Sequence, residues 1–198
     1  YDGTIGTPTL EIEENDKAVG GSFLKRQDAD PSSIHMMVES GNMFNEAFFT
    51  FQEAGDTGKD LYDALELTPL DHGHYMSLAS ESDGTLLDIN NLPLQFSDPI
   101  EIPLHVNAYE AIPDGWRNRG GDAKLTWPEL QNIPSGWTLT LTDLKEGRSV
   151  NLRDAESYSF RLESSTEKIA GKTPFSPMAA NPLQREKANG DSRFLITI

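Results

Sequence analysis

Along most of this chain apolar and polar residues alternate with a period of two. Leu10 and Ile12 alternate with Thr9, Glu11 and Glu13, and Ile34, Met36 and Val38 with His35, Met37 and Glu39. Ala47, Phe49 and Phe51 alternate with Phe48, Thr50 and Gln52. The same rhythm returns at Ile100–Val106, Trp137–Leu141, Tyr158–Leu162 and Phe194–Ile198. Successive side chains of a strand point to opposite faces, so each run predicts a strand with one buried and one wetted face. Many short strands with turn signals between them predict an all-β antiparallel β-sandwich, jelly-roll-like, with long polar loops.

The punctuation agrees. Asp83-Gly84 between Ser82 and Thr85 is a hairpin signal, as is Lys145-Glu146-Gly147 between Leu141 and Val150. Pro103 lacks an N–H, which predicts an edge strand or a bulge. Trp127 and Trp137 are expected in strands at buried positions, whereas His35 and His105 fall on polar faces and are expected to be exposed. Lys59–Leu67 reads equally as a short helical turn or as strand. Gly20–Pro31, Ala111–Asp122 and Ser164–Asp191 look irregular. The last lies between two strands that look like neighbours, so residues 1–198 read as one domain with an insertion at about 164–191.

Charge narrows the partners. Asp and Glu number 32 against 16 Lys and Arg, a net charge of −16. Such a surface repels phosphate backbones and anionic lipid, which argues against nucleic-acid and membrane partners. No apolar run nears the roughly 18–20 residues that span a bilayer. With no cysteine, disulfides, thiolate metal sites and Cys nucleophiles are excluded. The chain does not start with Met or with a signal-like segment, as expected of a mature or trimmed form.

Several motifs recur in a telling order. Gly41-Asn42 precedes a strand, and an acidic loop leads into Tyr62-Asp63-Ala64. Then come Tyr75-Met76-Ser77-Leu78, Asp83-Gly84, Ile89-Asn90-Asn91-Leu92-Pro93, Ile102-Pro103-Leu104 and Leu125-Thr126-Trp127. Leu141-Thr142-Asp143 with Gly147, Tyr158-Ser159-Phe160 and Arg193-Phe194-Leu195-Ile196-Thr197-Ile198 complete the series. Over residues 33–163 and 192–198 this resembles the β-sandwich module that precedes the type IX secretion sorting domain in surface and secreted proteins of the Bacteroidota. The chain departs from that pattern at Glu66, where the family usually carries a basic residue, and in its long loop before the final strand. The resemblance implies export and a secreted or cell-surface location. It implies no activity, because function belongs to a site rather than a fold.

Candidate chemistry is sparse. Glu53, Asp56, Asp60 and Asp63 crowd one Gly-containing loop, a supply of oxygens suited to calcium, although the spacing is not that of an EF-hand. The plainer reading is a solvated acidic loop. Asp28 with Asp30 is a second acidic pair. His72 and His74 with Asp71 could serve zinc, but read better as a polar turn. No nucleophile-elbow, zincin or P-loop pattern occurs, so a non-catalytic role is expected. Trp116, in a Gly/Pro-rich stretch, is a candidate glycan contact, as in a carbohydrate-binding module of an exported enzyme. Leu10 and Ile12 mark a terminal strand that could pair with another copy, as in a subunit of a self-assembling extracellular filament. The expected partners are therefore other surface proteins, copies of itself, or glycans.

Overall fold

The computed structural model describes residues 31–67, 73–113, 115–166, 169–170 and 192–198. Leu10, Ile12, Asp28, Asp30, Asp71 and His72 lie outside the described residues. Within them the fold is all β, a mixed sheet nearly closed into a barrel-like sandwich, with no helix.

β1 (Ser32–Ser40) and β2 (Met43–Gln52) form an antiparallel hairpin through Gly41, whose φ of +63° favours glycine. Their alternation works as the period predicts: Ile34, Met36, Val38, Ala47 and Phe49 are completely buried. β3 (Ala64–Leu65) is short, so Lys59–Leu67 ends as strand rather than helix. β4 (His74–Ser82) and β5 (Thr85–Pro93) are joined by Asp83 and Gly84, at φ 50° and 72°. Positive φ at both central residues is the tight hairpin turn that suits the strand twist.

Past Leu87, β5 leaves β4 and runs parallel to β2, pairing Phe48 with Ile89 and Phe51 with Leu92. The expectation of a purely antiparallel sheet is corrected here, because period-two alternation is blind to strand direction. β3 also pairs with β5, and its two consecutive residues face Ile89 and Leu87. Asp88 is thus the extra residue of a β-bulge.

β6 (Glu101–Ile112), β7 (Gly115–Asn118), β8 (Gly121–Gln131), β9 (Thr140–Asp143), β10 (Arg148–Asn151), β11 (Ser157–Leu162), β12 (Ile169–Ala170) and β13 (Phe194–Thr197) complete the sheet. Its order is β10-β9-β13-β6-β4-β5-β2-β1-β8-β11, with β3, β7 and β12 attached beside it. The stretch expected to be irregular, Ala111–Asp122, thus holds the end of β6, all of β7 and the start of β8. β7 folds back on β6, pairing Ile112 with Gly115, through backbone groups that need no apolar alternation. Pro103 lies in an inner strand rather than an edge, but β4 pairs with β6 only from Leu104 onward, so residue 103 has a strand neighbour on one side alone.

The two ends of the path, β10 and β11, are not hydrogen-bonded to each other, yet the Arg148 guanidinium of β10 lies over the Tyr158 ring of β11, 5.3 Å from its centre. Phe160 of β11 packs edge-on against Phe194 of β13 at 4.9 Å. The strands flanking the long insertion are thus neighbours across a seam, not paired partners. Trp127 is buried, and its Nε1–H donates to the carbonyls of Leu152 and Ala155 at 2.8 and 2.7 Å. Trp137 lies before β9 rather than within a strand. It is half-buried in a turn, with Phe51 and Phe96 each 5.0 Å from its ring.

Candidate functional site

The acidic loop between β2 and β3 is fastened to its own backbone. Asp56 Oδ1 accepts from the Gly58 N–H at 2.9 Å, and Asp60 Oδ1 from Tyr62 N–H at 2.6 Å. Asp63 accepts from Asp60 N–H at 2.7 Å and, through its other oxygen, from Asn91 N–H of β5 at 2.8 Å. These are the local bonds by which short acidic side chains build turns. The structure thus brings Asp60 and Asp63 together around Asn91, while Glu53 and Asp56 are exposed. Among the described residues no three His, Asp or Glu side chains form a group suited to a metal ion. His74 is exposed at the start of β4.

Trp116 is not on an open loop. It lies in β7, half-buried, its ring edge-on to Tyr75 at 5.1 Å, and Tyr75 stacks on Tyr109 at 4.8 Å. The exposed aromatics are elsewhere. On the polar face of β2, Phe44 is well exposed and Phe48 stacks flat on His35 at 4.4 Å.

Three polar groupings were hidden from the sequence pattern. In the first, Glu66 follows β3 and is buried, accepting a hydrogen bond from the Ser77 hydroxyl of β4. Asp88, the bulge residue, lies within its electrostatic reach. Burial pushes the Asp88 carboxyl up to about 7, the Glu66 charge adds to this, and a backbone hydrogen bond from Leu67 opposes it. Asp88 Oδ1 is buried without a hydrogen-bond partner among the described residues.

The second surrounds a recess of about 400 Å³, opened where β5 departs from β4 and where β4 stops pairing with β6. Its lining includes Glu81, Asn90, Phe96, Asp98, Glu101 and Pro103. His105, expected on a wetted face, is instead 4% exposed, and its Nε2 is 2.7 Å from Glu81 Oε2. Ala79, opposite it on β4, is also completely buried, so this face of the sheet is covered.

The third closes the seam. Asp143 at the end of β9 is completely buried and accepts from Arg193 Nη2 at 2.8 Å, from the Tyr158 hydroxyl at 3.1 Å and from two backbone amides. Burial alone would raise the Asp143 carboxyl. The hydrogen bond and charge of Arg193, with the amide and Tyr158 bonds, outweigh burial and hold it below the usual carboxylate value. Arg193 also donates to the Arg161 carbonyl of β11, and its guanidinium lies 4.7 Å from the Phe160 ring centre. Asp143 and Arg193 fall in the segments Leu141-Thr142-Asp143 and Arg193-Phe194, far apart in the chain, and the fold pairs them.

Comparison of the chain with protein-family models, with curated proteins and with solved structures finds no match.

Proposed function

We propose that this chain is a non-catalytic module of an exported protein, held at the cell surface, with a structural or adhesive role. The observation that carries the reading is how the acidic side chains are used. Asp56, Asp60 and Asp63 cap the chain's own amides, and Asp143 clamps the strands that face each other across the seam. Carboxylates held this way shape loops and close a barrel instead of meeting a substrate. The motif series supports a surface location, through its resemblance to modules exported by type IX secretion.

A polymerising subunit is the second reading. It is favoured by β10 and β11, each hydrogen-bonded among the described residues to a strand on one side only, since such edges accept an added strand. Negative-stain electron microscopy with light scattering, with and without millimolar calcium, separates the two. Compact monomers in both conditions support the surface module. Ordered fibres in either condition overturn it in favour of the filament.

A further inference from the structure

We infer that the recess beside the β4–β5 hairpin takes an organic cation, the ammonium or guanidinium of a Lys or Arg side chain on a protein partner. Its volume falls within the range of small-ligand clefts, roughly 300–1,000 Å³. Three carboxylates line it, those of Glu81, Asp98 and Glu101, and among the described residues no Lys or Arg does. They do not converge as a metal group, so the negative charge is spread along a slot, which suits an elongated cation better than a point ion.

Asn90 points independently to a donor ligand. This lining residue is 3% exposed. The Ser80 hydroxyl donates to the Leu87 carbonyl, so it accepts from Asn90 Nδ2, at 3.1 Å. With the amide placed so, Oδ1 is a buried acceptor with no partner among the described residues. An N–H from a guest would satisfy it once the groups that cover Oδ1 shift to admit the guest. His105 holds one oxygen of Glu81 in place from behind. Phe96 and Pro103 supply apolar wall for an alkyl stem.

This inference deepens the adhesive reading and rests on it only for the source of the cation. It is tested by titrating the isotope-labelled full chain with N-acetyl-lysine methylamide, N-acetylarginine methylamide, butylamine, glucose and calcium chloride, following amide signals by NMR. The blocked Lys or Arg should shift the Asn90 side-chain amide and the backbone amides of Phe96 and Ser97. Glu81→Gln and Asp98→Asn should each weaken that binding at least about threefold, and added salt should weaken it further. Folding of each variant is read from the same spectra, and Asp98, being exposed, is the safer change. Shifts produced by glucose or calcium but not by the cations would overturn the inference. So would binding of butylamine alone, or shifts that survive both substitutions, or no shift with any probe. Binding is read on the purified chain, so a negative result leaves the surface location standing, and a chain retained inside the cell leaves the recess chemistry standing.

Discussion

Replacing Arg193 with alanine should cost this fold more than any surface charge. The Arg193 side chain is 13% exposed and its partner Asp143 is completely buried. Breaking a buried ion pair by removing one member costs about 3–5 kcal/mol, because the other charge stays buried. Here Asp143 keeps the Tyr158 hydroxyl and two amides, which favours the lower end of that range. The faces of Phe160 and Phe194, 4.7 and 5.2 Å from the guanidinium, contribute about 1 kcal/mol more. A loss of about 3–4 kcal/mol follows, or roughly 10 °C in melting temperature for a chain of this size. Urea denaturation followed by tryptophan fluorescence measures it, with Arg161→Ala as the control. The Arg161–Asp122 pair is largely exposed and should be worth no more than about 0.5 kcal/mol. Adding Asp143→Asn to Arg193→Ala should restore part of the loss, since the orphaned charge is then gone. The sign with pH is fixed by the depressed Asp143 carboxyl. Its stabilisation is present above the unfolded value near 3.8 and disappears as pH falls through the lower folded value, so the Arg193→Ala deficit should shrink in acid. A deficit below about 1 kcal/mol, or strict additivity in the double variant, would refute the seam clamp.

Asp88 acts in the opposite sense. Its folded carboxyl titrates at about 7 against 3.8 unfolded, so it should make stability decline as pH rises from 4 towards 7 and level off above that. Asp88→Asn should remove this slope and stabilise the protein at pH 8. The full shift corresponds to roughly 4 kcal/mol, which partial exposure reduces to about 1–2 kcal/mol. Denaturation midpoints at pH 5 and 8 check it, and parallel profiles for the two proteins would contradict it. Gly55→Ala should cost about 2–3 kcal/mol, since the new Cβ would fall 2.1 Å from the Leu92 carbonyl oxygen and the backbone must move. A thermal melt unchanged by that substitution would place the loop differently. Trp127→Phe should lose about 1–2 kcal/mol by leaving the Leu152 and Ala155 carbonyls without the indole donor, read by urea denaturation monitored by circular dichroism.

The core was legible because burial and the period of two coincide at Ile34, Phe49, Leu104, Leu141, Tyr158 and Phe194. The Asp83-Gly84 turn was legible because few residues other than Gly, Asn and Asp accept positive φ there. Strand direction was not, since side-chain alternation is the same in parallel and antiparallel pairs, and the β2–β5 pairing therefore went unseen. His105 read as solvent-facing by the alternation of β6, but that face of the sheet is covered, which hid it. Asp88 was hidden by its bulge, which breaks the count of two. The acidic loop shows the converse. Its carboxylates looked like a shared donor set, yet local bonds at spacings of two and three residues compete for the same oxygens. Asp56-Thr57-Gly58 was the available signal.

A surface role stands or falls with where the chain resides. Intact cells that naturally make this chain can be labelled with an antibody raised against the folded domain, before and after permeabilisation. Full labelling of intact cells, removed by external protease, is the predicted result. Labelling that appears only after permeabilisation would contradict the account.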